Sequence, residues 1–137
     1  MEFIMNDSLI QQIRKEVTSL GVKELRTPEE VDTVIPDTQG TMLLFVNSAC
    51  RCAAGVARPG LARALDHPVR PDHVVSVFAG LDIDATARAR HYLGDKSSSS
   101  PSFALLRDGK LVKMIRRLRI ERHTPHEIAE ELIDAFE

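Results

Sequence analysis

Aromatic residues and cysteines are scarce in this sequence, which has no tryptophan, one tyrosine and two cysteines among 137 residues. No stretch approaches the roughly 18–20 consecutive apolar residues that cross a bilayer, so we expect no membrane segment. The amino terminus lacks a basic start followed by an apolar run, so we expect no secretory signal and a cytoplasmic location. Lys and Arg number 18 against 20 for Asp and Glu, a net charge of −2, which argues against a dedicated nucleic-acid binder.

The remaining composition is that of an ordinary globular protein. Hydrophobic residues make up 43% of the chain and charged residues 28%, which is far from the composition of a disordered protein. A chain of this length can bury one core without metal or disulfide staples, and it suits one domain better than two. We therefore expect residues 1–137 to form a single domain that opens with a helical extension over about residues 6–34.

Helical patterns recur along the chain. Pro59 lies inside one of them and is expected to kink it, because proline removes a backbone donor. Asp82 precedes another and is expected to cap it. From apolar spacing, capping residues and stop signals, the predicted helices cover residues 9–20, 28–34, 52–65 and 82–93, with a last helix opening at the capping box Thr124-Pro125-His126-Glu127.

Strand patterns alternate with these helices. Residues 41–47 and 74–78 are continuous apolar runs, typical of strands that are buried on both faces. Asp108-Gly109 separates two further short apolar runs and predicts a β-hairpin. The order of elements implies parallel crossovers plus antiparallel hairpin strands. It predicts an α/β fold: a thioredoxin-like three-layer sandwich, with a mixed central sheet, a C-terminal β-hairpin and helices on both faces.

The two cysteines, Cys50 and Cys52, follow the first buried strand and lie at the start of a helix. Unpaired N–H groups and the positive dipole end of a helix favour a thiolate over a thiol. Arg51 adds a positive charge between the two sulfurs. We expect both effects to lower the pKa of the more exposed cysteine, taken as Cys50. A disulfide between residues so close in sequence would be strained and easily reduced, which suits isomerisation or the removal of a small thiol from another protein.

A metal site is the alternative use of this pair. Zinc would need two further ligands, and the five histidines show no ligand-like spacing: His67, His73, His91, His123 and His126. A non-catalytic metal-binding module therefore stays open as a second hypothesis, and two inert buried cysteines are a third.

A run of basic residues near the C-terminus, and separately Arg58, can each be interpreted in two ways. A basic run includes Arg107, Lys110, Lys113, Arg116, Arg117, Arg119 and Arg122. Solvated charges that protect an edge strand from aggregation are favoured over a nucleic-acid surface, because no aromatic stacking platform accompanies them. Arg58 could contact an anionic substrate, or its stem could cover apolar surface.

Three segments carry a pattern more specific than the two cysteines alone. The first is Phe45-Val46-Asn47-Ser48-Ala49-Cys50-Arg51-Cys52-Ala53-Ala54-Gly55, followed by Ala57-Arg58-Pro59-Gly60. The others are Val77-Phe78-Ala79-Gly80 with Asp82, and Ser100-Pro101-Ser102-Phe103-Ala104-Leu105 with Asp108-Gly109. Together they resemble the bacilliredoxins, a family of bacterial proteins of the thioredoxin fold with a CxC active site. The resemblance runs from about Thr41 to the C-terminus.

This resemblance implies an enzyme that removes bacillithiol, a low-molecular-weight thiol, from proteins carrying it as a mixed disulfide. Cys50 matches the family nucleophile and Cys52 the resolving cysteine, and weak disulfide isomerase activity is also implied. Pro101 matches the cis-proline that faces the active site, so the Ser100 backbone would pair with the substrate strand. The implied partners are bacillithiolated client proteins, a small thiol and a flavin-dependent disulfide reductase for recycling. Bacillithiol is a co-substrate, and neither a cofactor nor a metal is implied.

The chain departs from the family pattern at two places. Arg51 stands where the family usually has glycine, so we expect a bias towards acidic adducts such as bacillithiol, which carries malate carboxylates. Arg51, Ser100 and Pro101 form the expected substrate-binding set. The loop Lys96-Ser97-Ser98-Ser99-Ser100 lacks the prolines often found there and is expected to be more mobile.

Overall fold

A mixed five-stranded sheet organises the computed structural model, which describes residues 7–94 and 100–137. The strands are β1 (Lys23–Glu24), β2 (Thr41–Asn47), β3 (His73–Phe78), β4 (Ser102–Arg107) and β5 (Lys110–Ile115). Their order in the sheet is β1-β3-β2-β4-β5. Pairing is parallel between β1 and β3 and between β2 and β3, and antiparallel between β2 and β4 and between β4 and β5. The mixed sheet confirms the prediction.

Helices cover both faces of this sheet. They are α1 (Asp7–Thr18), α2 (Pro28–Val34), α3 (Arg58–Leu65), α4 (Ile83–Tyr92), α5 (Arg117–Glu121) and α6 (Pro125–Phe136). Side chains alternate between the two faces along a strand, so Phe45 joins the core formed with α3 and α6, whereas Leu44 joins the core formed with α2 and α4. Burial on both faces explains the continuous apolar sequence of β2, and the three-layer α/β sandwich is as predicted.

The predicted N-terminal helical extension takes part in both cores. Val17 of α1 packs on one face of the sheet and Val31 of α2 on the other. Between these helices lies β1, which sequence analysis missed because two residues are too few to show a pattern. The predicted start of the extension, at about residue 6, lies outside the described residues, as does the predicted mobile loop up to Ser99.

The helix after the cysteines is irregular next to Pro59. A π-helical segment covers Ala53–Ala57, and the N–H of Arg58 donates to the carbonyl of Ala53. Pro59 follows in the first turn of α3. A π-helical segment and a proline are both common causes of helix bending, so the expected kink at Pro59 stays a prediction.

The predicted caps have different outcomes. In the α6 capping box, Thr124 and Glu127 exchange hydrogen bonds of 3.2 and 2.9 Å between side chain and backbone, as predicted. Asp82 occupies the N-cap position of α4 but makes no side-chain capping bond. Its carboxylate instead accepts from the buried Arg14 guanidinium at 2.8 and 3.1 Å, and this ion pair outcompetes the cap.

The predicted hairpin joins β4 to β5. Asp108 and Gly109 at its turn have φ values of 51° and 81°, the left-handed conformation that tight hairpins require. None of the helices in the described residues is both long and apolar enough to span a membrane.

Candidate active site

Cys50 and Cys52 lie just beyond the buried end of β2. Both are half-buried free thiols. Cys52 occupies the helical turn that leads into the π-helical segment and packs against the core that includes Ile120. The strand and the helix are both built into the core, so they place the two sulfurs on a rigid support.

Several polar groups surround the sulfur of Cys50. Burial raises the pKa of this thiol, but a hydrogen bond from Ser48, backbone N–H groups of Ala53 and Cys52, and the charge of Arg117 together lower it below its ordinary value. The Ser48 hydroxyl donates to the Cys50 Sγ over 3.0 Å and accepts from the Cys50 backbone N–H over 3.3 Å. The predicted direction of the shift is confirmed.

The source of the positive charge differs from the prediction. Arg51 is exposed, whereas the arginine whose charge helps to lower the Cys50 pKa is Arg117, from the other end of the sequence. The predicted contribution of the helix start is present as the N–H groups of Cys52 and Ala53. Neighbouring residues in a helix point in different directions, so adjacency in sequence did not identify the cation.

Cys52 has the opposite environment. Burial raises the pKa of this thiol, and the negative charge of Cys50 and both the charge and a hydrogen bond of Glu121 raise it further. The two cysteines therefore differ in acidity, with Cys50 favouring the thiolate and Cys52 the thiol. An attacking thiolate and a protonated resolving thiol would need a difference in this direction, and the two roles stay predictions.

The short helix α5 brings two charged side chains to the cysteines. Arg117 Nε donates to Glu121 Oε1 over 2.6 Å. Arg117 Nη1 donates to the Ser100 carbonyl over 3.4 Å. The Ser100–Pro101 peptide bond is cis, which confirms that part of the prediction. Arg117 thus connects the cis-proline segment to the helix that faces the thiols.

The role of Arg117 differs from the expectation for the basic run, which is that of solvated edge-strand charges. The helix α5 is also absent from the predicted elements. For Arg117 that expectation is wrong, because its guanidinium lies at the active site. The available signal was the four-residue spacing between Arg117 and Glu121, which is typical of a helical ion pair.

Arg58 fits neither of its predicted uses. Its side chain is only 5% exposed, so it is neither a substrate contact nor a surface stem. Nη1 donates to Asn47 Oδ1 at 3.0 Å and to the Ser48 carbonyl at 2.8 Å, and Nε donates to Glu16 Oε2 at 2.6 Å. Arg58 therefore holds the chain immediately before Cys50 in place.

Comparison with known proteins identifies the family. A family model described as "Disulphide isomerase" matches residues 5–137. A bacilliredoxin of Bacillus cereus is 50% identical over 135 residues, covering 98% of this chain and 92% of the relative. A bacilliredoxin of Geobacillus kaustophilus is 47% identical over 136 residues, covering 99% and 93%. The chain belongs to the bacilliredoxin family.

Solved structures similar to this bacilliredoxin-family chain are thioredoxins. Mitochondrial thioredoxin 3 from Saccharomyces cerevisiae, in its oxidized form, has a TM-score of 0.60 and 16% identity, covering 87% of this chain and 98% of that one. Fasciola hepatica thioredoxin has a TM-score of 0.57 and 17% identity, covering 85% and 100%. The likeness confirms the thioredoxin-like fold. Family and fold together make the chain a thiol–disulfide oxidoreductase.

The metal hypothesis gains no support from the geometry of this bacilliredoxin-family site. Across residues 7–94 and 100–137, no group of three or more His, Cys, Asp or Glu side chains is arranged to hold a metal ion. Glu121 is the acidic side chain that hydrogen-bonds Cys52, and it is already paired with Arg117.

Proposed function

We propose that this protein removes bacillithiol, or a similar low-molecular-weight thiol, from protein mixed disulfides. The observation that carries the proposal is the paired but unequal environment of Cys50 and Cys52. The Ser48 hydroxyl, 3.0 Å from the Cys50 sulfur, favours an anionic nucleophile, whereas burial and then the charges of Cys50 and Glu121 raise the pKa of Cys52 and favour its thiol form. The bacilliredoxin name of the relatives supports the same reaction.

The first step transfers the small thiol to Cys50. The Cys50 thiolate attacks the sulfur of the small thiol, forming a new S–S bond as the bond to the client sulfur breaks. The client leaves as a thiolate and takes a proton from solvent. A Cys50 of low pKa is also a good leaving group when the internal disulfide is later reduced by attack on Cys52, because acidic thiols depart readily.

The second step uses Cys52 to release the small thiol. The Cys52 sulfur attacks that of Cys50, so an internal disulfide forms while the small thiol departs with the proton that Cys52 gives up. This small-ring disulfide is strained and easily reduced. Two molecules of small thiol would restore the dithiol: the first opens the internal disulfide and forms a mixed disulfide, and the second displaces it. The product is the disulfide of the small thiol, which a flavin-dependent disulfide reductase would reduce. The balance needs no bound cofactor, and it suits the reducing cytoplasm.

Three residues complete the proposed substrate site. The backbone of Ser100, next to the cis Pro101, would pair with an extended client segment in the manner of strand addition. Arg51 is exposed beside Cys50, and its positive charge favours the approach of acidic adducts. These assignments rest on their position at the thiols and on the family resemblance.

The test offers the Cys52→Ala variant a model protein that carries bacillithiol, glutathione or cysteine as a mixed disulfide. We expect mass spectrometry to show the bacillithiol adduct moving to Cys50 and staying there, because nothing resolves it. The matched Cys50→Ala variant should accept no adduct. Transfer to Cys52 alone would reverse the two roles, and no transfer to either cysteine would overturn the function.

A disulfide isomerase activity is a second candidate, favoured by the description of the matching family model. Isomerisation needs one nucleophile that attacks a non-native disulfide and is later displaced, so it requires Cys50 but not Cys52. We expect Cys52→Ala to retain isomerase activity on a protein with scrambled disulfides and Cys50→Ala to lose it.

A further inference from the structure

Arg117 is held in one place by two contacts on different elements. Its Nε donates to Glu121 Oε1 over 2.6 Å within α5. Its Nη1 donates to the carbonyl of Ser100, the residue before the cis-proline, over 3.4 Å. The hydrogen bond to Glu121 and then the charge of Cys50 raise the pKa of Arg117, so the guanidinium lies within electrostatic range of the reacting sulfur.

The other structurally anchored arginines near this end of the sheet are not available to a ligand. Arg58 and Arg14 have side chains that are 5% and 8% exposed, and their guanidinium groups bind protein oxygens. The Arg117 side chain is 46% exposed. A guanidinium has five N–H donors, and the two contacts described for Arg117 use two of its nitrogen atoms.

We propose that Arg117 is the specificity-determining residue that binds a carboxylate of the small thiol while Cys50 takes up the adduct. This inference rests on the proposed function and identifies which adducts that function prefers. Arginine suits the task because its planar fork can bind a carboxylate through two hydrogen bonds and is always charged. The ligand class is thiols that carry carboxylates, which includes bacillithiol with its malate group and glutathione.

The exchange itself is unchanged by this contact. Cys50 Sγ forms a bond to the sulfur of the small thiol, the bond between that sulfur and the client breaks, and the client departs as a thiolate. Arg117 acts only by holding the carboxylate end, so it should matter for adducts that have one. A 2-mercaptoethanol adduct, which has none, reports every other effect of an Arg117 substitution, including any change in the ionisation of Cys50.

The experiment compares two adducts in a Cys52→Ala background, so that the product stays on Cys50. A model protein carrying either glutathione or 2-mercaptoethanol is mixed with the enzyme, and mass spectrometry gives the rate of each transfer. We expect Arg117→Gln to lower the ratio of the glutathione rate to the 2-mercaptoethanol rate by about tenfold. Arg117→Lys, which keeps the charge but loses the fork, should recover part of that ratio.

Arg119→Gln is the matched control. Arg119 lies on the same helix, is 55% exposed and pairs with Glu131 over 2.7 Å. Its replacement by glutamine therefore removes the same charge and the same type of ion pair as Arg117→Gln. Its rate ratio should equal that of the parent. The assignment would be overturned by any of three outcomes. The ratio stays unchanged in Arg117→Gln, it falls equally in Arg119→Gln, or it falls only in a third variant, Arg51→Gln. A parent variant that accepts neither of these adducts would overturn this inference, and one that also refuses the bacillithiol adduct would overturn the proposed function itself.

Discussion

Ser48 and Cys50 are joined twice, since the Ser48 hydroxyl donates to the Cys50 sulfur over 3.0 Å and accepts from the Cys50 backbone N–H over 3.3 Å. The hydroxyl is buried at the end of β2, and Arg58 binds the carbonyl of the same serine over 2.8 Å. The Cys50 sulfur thus accepts a hydrogen bond from Ser48, and Arg58 in turn holds Ser48 in position.

Replacing Ser48 with alanine should raise the pKa of Cys50. A hydroxyl donates more strongly to a thiolate than to a thiol, so its loss disfavours the charged form. In a Cys52→Ala background, the pH profile of iodoacetamide alkylation should move to higher pH, with about fivefold slower reaction near pH 7. Arg51→Gln is the comparison, and we expect it to move the profile less. A larger shift for Arg51→Gln would show that Arg51 lowers the Cys50 pKa, as the sequence alone indicates.

Replacing Glu121 with glutamine should lower the pKa of Cys52. Burial is the largest cause that raises this pKa. The negative charge of Glu121 raises it further, because it disfavours a second negative charge on the neighbouring Cys52 sulfur. In a Cys50→Ala background, alkylation of Cys52 should therefore extend to lower pH and be about two- to fivefold faster near pH 8. Glu131→Gln breaks an ion pair of similar geometry, with Arg119 over 2.7 Å, and should leave the profile in place. A shift to higher pH would contradict the assigned direction.

Replacing Arg58 with alanine should destabilise the protein. The change leaves the buried Ser48 carbonyl without its Arg58 donor and leaves Asn47 Oδ1 with one donor, the Ser48 backbone N–H. We expect a loss of about 2–3 kcal/mol in the free energy of unfolding measured in urea. Glu16→Gln removes the more exposed partner and should cost less than about 1 kcal/mol. Equal losses in the two variants would show that the ion pair, and not the buried hydrogen bonds, stabilises this segment.

Two glycines in the helix after the cysteines should respond to alanine in opposite ways. At Gly60 an added Cβ would lie 3.2 Å from both Ile128 Cγ2 and the Pro125 carbonyl oxygen, so α3 and α6 would be forced apart. We expect Gly60→Ala to lose about 1–2 kcal/mol of unfolding free energy. At Gly55 an added Cβ would meet no atom within 4 Å apart from the adjacent residues and backbone of its own helix, and Gly55→Ala should gain about 0.5–1 kcal/mol. Changes of the same sign in urea denaturation would contradict the packing of α3 on α6.

The sequence was sufficient to predict features that depend on neighbouring residues. The buried strand β2, the hairpin turn at Asp108-Gly109 and the α6 capping box each follow from the conformational preferences of a few adjacent side chains. The position of Cys50 and Cys52 after a strand and before a helix is a property of the same kind. Family resemblance added the cis bond at Pro101, which local preferences do not determine.

Only the tertiary structure decided which distant groups act on the thiols. Arg117 and Glu121 reach Cys50 and Cys52 because β4, β5 and α5 fold back beside β2. Arg58 became a buried support because α1 and β2 supply oxygens on both sides of it. A sequence shows which residues are charged. The effect of each charge on a sulfur depends on distance and burial, which are defined only once the chain has folded.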